Sequence, residues 1–290
     1  MNRCFITSSL IAITLLNLVY KAASGEHSNA LYAGYEHGIS IPFELQSGFL
    51  VVLPGQVGPR SGLHFIIDTG ATRSVVDRRL AVGKESRSKS FEVFSFGQRL
   101  QLEQTRVERL DVGPIHVNNP NVGVADLSEY SELAKNVDGI LGMDMLSASN
   151  KILIDYERRT VLFAVSDTDA NPIPYPRGFV TTISIQGVAM RLLVDTGFEG
   201  IAIHEDRLRS HIANLRTEGA PAQVRMGRLK TTKIRVRDVS LGGPPQTKEI
   251  LLLRGPRENE IYGIDGYLGV AALHADRIEL NFAEGRMRWQ

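Results

Sequence analysis

The hexapeptide Phe65-Ile66-Ile67-Asp68-Thr69-Gly70 recurs as Leu192-Leu193-Val194-Asp195-Thr196-Gly197, displaced by 127 residues. A second stretch repeats at the same displacement, Asp138-Gly139-Ile140-Leu141-Gly142 returning as Asp265-Gly266-Tyr267-Leu268-Gly269. The two motifs thus stand 70 residues apart in both copies. One Asp-Thr-Gly is an ordinary turn, but two copies sharing a second motif at identical spacing mark a duplicated structural unit. Weaker echoes extend it. Gly48-Phe49 answers Gly178-Phe179 at a displacement of 130, three more than 127, so the first copy is longer in the hairpin that leads to its Asp-Thr-Gly. Phe96-Gly97 answers Met226-Gly227, and Ile154-Asp155-Tyr156 answers Leu280-Asn281-Phe282.

Short apolar runs rich in β-branched residues surround both motifs: Phe49 to Leu53, Leu63 to Ile67, Val180 to Ile185 and Met190 to Val194. Gly or Pro bounds them, as it bounds buried strands. Further runs, Ser74 to Val76 and Ile201 to Ile203, follow each Asp-Thr-Gly, which becomes a tight loop between two strands. Short helices are expected at Glu205 to Leu215 and Met143 to Ser149. The fold class is all-β. Ser166 to Arg177 carries Pro172, Pro174 and Pro176 among Asp and Asn residues, a composition that resists both helix and central strand. It reads as a linker (166–177) between an N-terminal lobe (25–165) and a C-terminal lobe (178–290).

The first 24 residues stand apart. Arg3 precedes an apolar run from Phe5 to Tyr20, followed by Ala22, Ala23 and Ser24, the layout of a secretory signal peptide cleaved after Ser24. The run is short for a bilayer span. The expected location is exported, periplasmic or extracellular, with an uncleaved N-terminal segment as a membrane anchor the other reading. No stable membrane insertion is expected after cleavage. The lone Cys4 lies inside this segment, so the processed chain has no disulfide, thiolate nucleophile or cysteine-held zinc. The 290 residues carry 33 Lys and Arg against 32 Asp and Glu, which gives no bulk attraction for nucleic acid.

A duplicated carboxylate on an interstrand loop has a specific chemistry. If the lobes pack about a pseudo-twofold axis, Asp68 and Asp195 meet at the interface. Two carboxylates about 3 Å apart cannot both ionise, so they share one proton and their pKa values split. One can then act as base toward a water while the other acts as acid toward an amide carbonyl. The seven histidines show no metal-ligand spacing, and no Gly-x-Ser-x-Gly elbow is present.

With these residues the chain resembles the aspartic peptidases, in particular the bacterial type with two retropepsin-like lobes in one chain, over roughly residues 45–289. The resemblance implies a two-lobed aspartic peptidase fold and peptide-bond hydrolysis by an Asp68 and Asp195 dyad, with no cofactor and no metal. Thr69 and Thr196 would lock the two loops across the interface, and Gly70 and Gly197 would offer N–H groups to the carboxylates. Ile140-Leu141-Gly142 and Tyr267-Leu268-Gly269 would pack behind them. The partner would be a peptide or protein substrate, held beneath a hairpin flap whose candidates are Phe96, Gly97, Met226 and Gly227. A monomer is expected, because both copies lie in one chain.

The sequence departs from the pepsin-like pattern where Ser or Thr would follow each Asp-Thr-Gly: it has Ala71 and Phe198. Loss of a hydroxyl donor to each carboxylate implies a pH optimum less acidic than pepsin's. Phe198 either fills a pocket or narrows the cleft. Asp138 and Asp265 read as turn residues outside the site. Lys233-Ile234-Arg235-Val236-Arg237 alternates with period two, as the solvated face of a strand does. The alternatives are a catalytically inactive peptide-binding protein on the same fold and, less simply, a polyanion binder using that basic strand.

Overall fold

In the computed structural model, residues 35, 38–81, 90–95, 98–130, 134–164, 178–226, 229–254 and 263–290 are described. Residues 1–24, read as a signal peptide, and 166–177, read as a linker, fall outside them. Among the described residues the strands form three sheets, an all-β architecture with few short helices.

The apolar runs around each Asp-Thr-Gly become neighbouring strands because their β-branched side chains fill both faces of a buried sheet. In the first copy Arg60–Ile67 pairs parallel with Gly139–Leu141, which pairs antiparallel with Val75–Asp77. In the second, Val188–Asp195 pairs parallel with Gly266–Gly269, which pairs antiparallel with Ile201–His204. Leu50–Val57 and Val180–Ile185 flank these sets as the hairpin partners of the motif strands. The same strand order is therefore built twice. One sheet is drawn from residues 44–141 and another from residues 180–269.

Two expectations differ in extent. The strand read as ending at Leu53 continues to Val57 through Pro54 and Gly55, and its register shifts between Gly55 and Val57. Gly55 lets it pass, since a Cβ there would lie 2.6 Å from the Phe65 ring. The helices are shorter than expected. One spans Met143–Leu146, with turns to Ser149, and the other ends at His211.

The third sheet joins the copies. Lys151–Asp155 pairs antiparallel with Arg277–Asn281, flanked by Thr160–Phe163 with Ile39–Pro42 on one side and by Arg286–Trp289 on the other. The paired central strands are those carrying the weaker echoes Ile154-Asp155-Tyr156 and Leu280-Asn281-Phe282. Their inner face supplies Ile152, Ile154, Ile278 and Leu280 to a core that also holds Leu53, Phe65 and Leu141 from the first copy and Phe179, Val194 and Val270 from the second. A separate core of the second copy gathers Ile185, Met190, Leu192, Ile203, Val236 and Leu268. Shared apolar burial fixes the two copies against each other and so fixes what their facing loops can do.

Candidate active site

Each Asp-Thr-Gly lies where its motif strand ends. The strand register sets Leu141 beside Ile67 and Gly269 beside Asp195. The Asp68 N–H donates to the Leu141 carbonyl at 3.0 Å. The apolar-apolar-Gly motifs thus form the backing of the loops. Glycine is required there, because a Cβ on Gly142 would press on the Arg73 and Ala71 backbone and one on Gly269 on the Phe198 backbone.

The loops are pinned by a reciprocal pair of threonines. The Thr69 hydroxyl donates to the Val194 carbonyl at 2.8 Å and accepts the Thr196 N–H at 3.1 Å. The Thr196 hydroxyl donates to the Ile67 carbonyl at 2.7 Å and accepts the Thr69 N–H at 3.0 Å. Both side chains are buried, so four main-chain groups depend on two hydroxyls.

This interlock brings the Asp68 and Asp195 carboxyls face to face, each against the glycine of the opposite loop. A Cβ on Gly70 would collide with the Asp195 carboxylate, and one on Gly197 would lie 2.9 Å from Asp68 Oδ2. Each glycine is the space into which the opposite carboxylate fits.

The two acids differ in surroundings. Asp68 Oδ1 accepts the Gly70 N–H at 2.8 Å and the Ala71 N–H at 3.0 Å. Asp195 Oδ1 accepts the Gly197 N–H at 2.7 Å, but the next N–H, that of Phe198, points to the Asp195 main-chain carbonyl at 3.4 Å. Burial pushes both carboxyls above the ordinary range. For Asp68 the Asp195 hydrogen bond and the Ala71 and Gly70 N–H groups oppose that rise. For Asp195 the Asp68 charge adds to burial, Gly197 alone pulls down, and the carboxyl stands well above its usual value. The two carboxyls thus differ in their main-chain donors, with two on Asp68 and one on Asp195 among the described residues.

Residues 53–145 match the family described as aspartyl protease. The match covers about a third of the chain and contains the first copy of both motifs, from Asp68 to Gly142. It supports an aspartic peptidase family and a protease-like function. A search of curated proteins found no match.

Phe198 does not project into the cleft. It is 6% exposed and packs with Leu193, Ala202, Leu253, Ile264 and Tyr267. The flap candidates Phe96, Gly97 and Gly227 lie outside the described residues, whereas Met226 ends strand Thr217–Met226, paired with Leu229.

Asp138 and Asp265 serve the backbone. The Asp138 carboxylate accepts the His64 N–H, and Asp265 accepts that of Arg191, with Arg79 and Arg207 pairing with the remaining oxygens. A cavity of about 760 Å³ adjoins Asp77, Asp126 and Asp138, whose carboxylates are held by Arg79, Leu127, Ser128 and His64. The basic strand alternates as expected, with Ile234 and Val236 buried and Arg235 and Arg237 exposed. Its cations pair with Glu249 and Glu218.

Sequence reading missed a polar brace behind the first loop. Ser74 donates its N–H and hydroxyl to Asp144 Oδ1, at 2.8 and 2.7 Å, and its Oγ accepts the Gly142 N–H at 3.0 Å. Ser74 and Asp144 are 70 residues apart, the spacing of the motifs themselves. That spacing was the available signal, but their copy partners are Ile201 and Ala271, so a search for shared residues passes over them.

Proposed function

We propose that this protein is an aspartic endopeptidase in which Asp68 and Asp195 activate one water against a peptide bond. The observation that carries the reading is the pair of facing carboxyls, one from each repeat, held by the threonine interlock and differing in their donors. The ionised Asp68 takes a proton from the water as its oxygen attacks the carbonyl carbon, and Asp195 gives its proton to the carbonyl oxygen. The tetrahedral diol collapses when Asp68 passes its proton to the amide nitrogen and Asp195 recovers one from a diol hydroxyl. The C–N bond breaks, and the dyad returns to its starting protonation.

The family match over residues 53–145 supports this reading for the first lobe, and the repeat extends it to the second. In the proposed organisation, lobes 25–165 and 178–290 are joined by linker 166–177. The strand pairing between residues 151–155 and 277–281 supports a monomer, since both halves of the seam come from one chain. The apolar run from Phe5 to Tyr20 supports export. A peptide lying across the interlobe dyad is the substrate this arrangement suits.

The test is cleavage of a mixed peptide library from about pH 3 to about pH 7 by wild type, Asp68→Asn and Asp195→Asn. Wild type should cut and both folded variants should not. Three folded proteins equally silent would overturn the endopeptidase and leave a peptide-binding protein on the same fold.

A further inference from the structure

Phe198 occupies the position that Ala71 holds in the first copy, immediately after the repeated Asp-Thr-Gly. The two residues treat their neighbouring carboxylates differently. Ala71, half-buried beside the apolar set of Ile66, Val75 and Ile140, leaves its N–H aimed at Asp68 Oδ1. Phe198 sinks its ring among Leu193, Ala202, Leu253, Ile264 and Tyr267. The residue is 6% exposed there, and its carbonyl lies against Gly269. With the residue drawn toward that cluster, its N–H points to the Asp195 main-chain carbonyl at 3.4 Å rather than to the carboxylate. Among the described residues, Asp68 thus has two main-chain donors on its carboxylate and Asp195 has one.

A donor to a carboxylate stabilises the charged form, so the acid with fewer donors keeps the proton. We propose that Phe198 is a positioning residue that places the dyad proton on Asp195, by anchoring the second loop so that its N–H is withheld from that carboxylate. This rests on the dyad reading above and assigns the roles within it: Asp68 the base, Asp195 the acid. The other charged groups nearby do not supply the bias. Asp144 is bound to Ser74 behind the first loop with Arg73 beside it, and Glu199 is exposed. His204 and Asp265 belong to the far side of the Tyr267 cluster, where Asp265 holds Arg191 and Arg207. Asp68 is the charged group that bears on Asp195 directly.

The experiment titrates the aspartate side-chain carbonyl carbons by NMR in full-length protein, assigned with Asp68→Asn and Asp195→Asn, and repeats the titration on Phe198→Ala. Wild type should show two separated steps, the upper one belonging to Asp195. In Phe198→Ala, which reproduces the first copy, the second loop can turn its N–H to the carboxylate, and the proton affinity of Asp195 should fall about tenfold. The upper limb of the kcat/KM pH profile should move with it while KM stays near wild type. An upper step assigned to Asp68 overturns the proposal without needing the Phe198 variant to fold. So does a folded Phe198→Ala with an unchanged titration. Phe198→Leu, which keeps an apolar anchor, should retain the wild-type separation. If the titrations behave as described but no peptide is cleaved, the peptidase reading fails while the proton assignment stands.

Discussion

Replacing Thr69 by Val removes one hydroxyl and keeps nearly the same shape, in a side chain that is 1% exposed. Two main-chain groups then lose their partner, the Val194 carbonyl at 2.8 Å and the Thr196 N–H at 3.1 Å. Each buried orphan costs about 1–3 kcal/mol, so Thr69→Val should destabilise by about 2–6 kcal/mol. That is a large fraction of the roughly 5–15 kcal/mol that holds a typical domain folded. Thr196→Val should cost a similar amount, since it orphans the Ile67 carbonyl and the Thr69 N–H. Thr69→Ser keeps the hydroxyl and loses one methyl group, about 1 kcal/mol. Urea denaturation of the three variants reads these differences. At a slope of about 3 kcal/mol per molar, the Val variants should lose about 0.7–2 M in midpoint and the Ser variant about 0.3 M. Because the hydroxyls align the two carboxyls as well as stabilise the fold, the Val variants should also lose at least about tenfold in kcat where they remain folded. The reasoning is refuted if Thr69→Val unfolds within about 0.5 kcal/mol of wild type, or if Ser and Val cost the same.

Gly70→Ala places a carbon against the Asp195 carboxylate, and this contact cannot be relieved without separating the loops. It should abolish peptide cleavage while a control substitution at exposed Thr72 leaves it intact; a fully active Gly70→Ala would show that the loops are not held face to face. His204 is 4% exposed, and burial pushes its imidazole below the ordinary value of 6.5. Asp206 and Asp265 oppose that shift, and Arg207 adds to it. Since the unfolded chain then binds the proton more readily, this group's contribution is intact above 6.5 and is lost as pH falls through that value toward the lower folded one. Thermal melts of His204→Phe should therefore lose less stability than wild type between about pH 7 and pH 5. Parallel curves would remove His204 from the acid response.

Much of this was legible in the chain because duplication makes a sequence its own comparison. Phe65 to Gly70 against Leu192 to Gly197 revealed the loops, and the second motif at the same displacement revealed the strands behind them. What is shared is what both copies need: the threonine hydroxyls, the glycines that make room for the opposite carboxylate, and Asp138 and Asp265, which hold backbone in the same way. What the copies do not share was illegible by the same logic. Ser74 and Asp144 brace the first loop with hydrogen bonds, where the second copy has Ile201 and Ala271. Whether Phe198 turned inward or toward the cleft depended on Tyr267, Leu253 and Ile264, brought beside it from distant strands. Pro54 and Gly55 read as a strand end because the local signal cannot anticipate the register shift that carries the strand through them.

The seam sheet shows why the copies were free to diverge. Lys151–Asp155 and Arg277–Asn281 pair antiparallel with Leu153 opposite Glu279 at the centre, so Asp155 faces Arg277 at one end and Lys151 faces Asn281 at the other. A symmetric seam would carry the same acid–cation pair at both ends. Here one end has a buried pair, Asp155 at 0% and Arg277 at 7% exposure with 3.1 Å between them, and the other has the neutral Asn281 opposite Lys151. The neutral Asn281 is tolerable opposite Lys151 because Lys151 is only half-buried, whereas removing Arg277 would leave the fully buried Asp155 carboxylate with the more distant cation of the exposed Arg158, at 3.6 Å. In a symmetric pair of separate chains, every substitution would act twice at such a seam. With both halves in one chain each position acts once, and the same freedom allows Ala71 and Phe198 to give the two aspartates different donors. In the proposed mechanism that asymmetry is what the chemistry needs, since an acid and a base must differ although their loops share one motif.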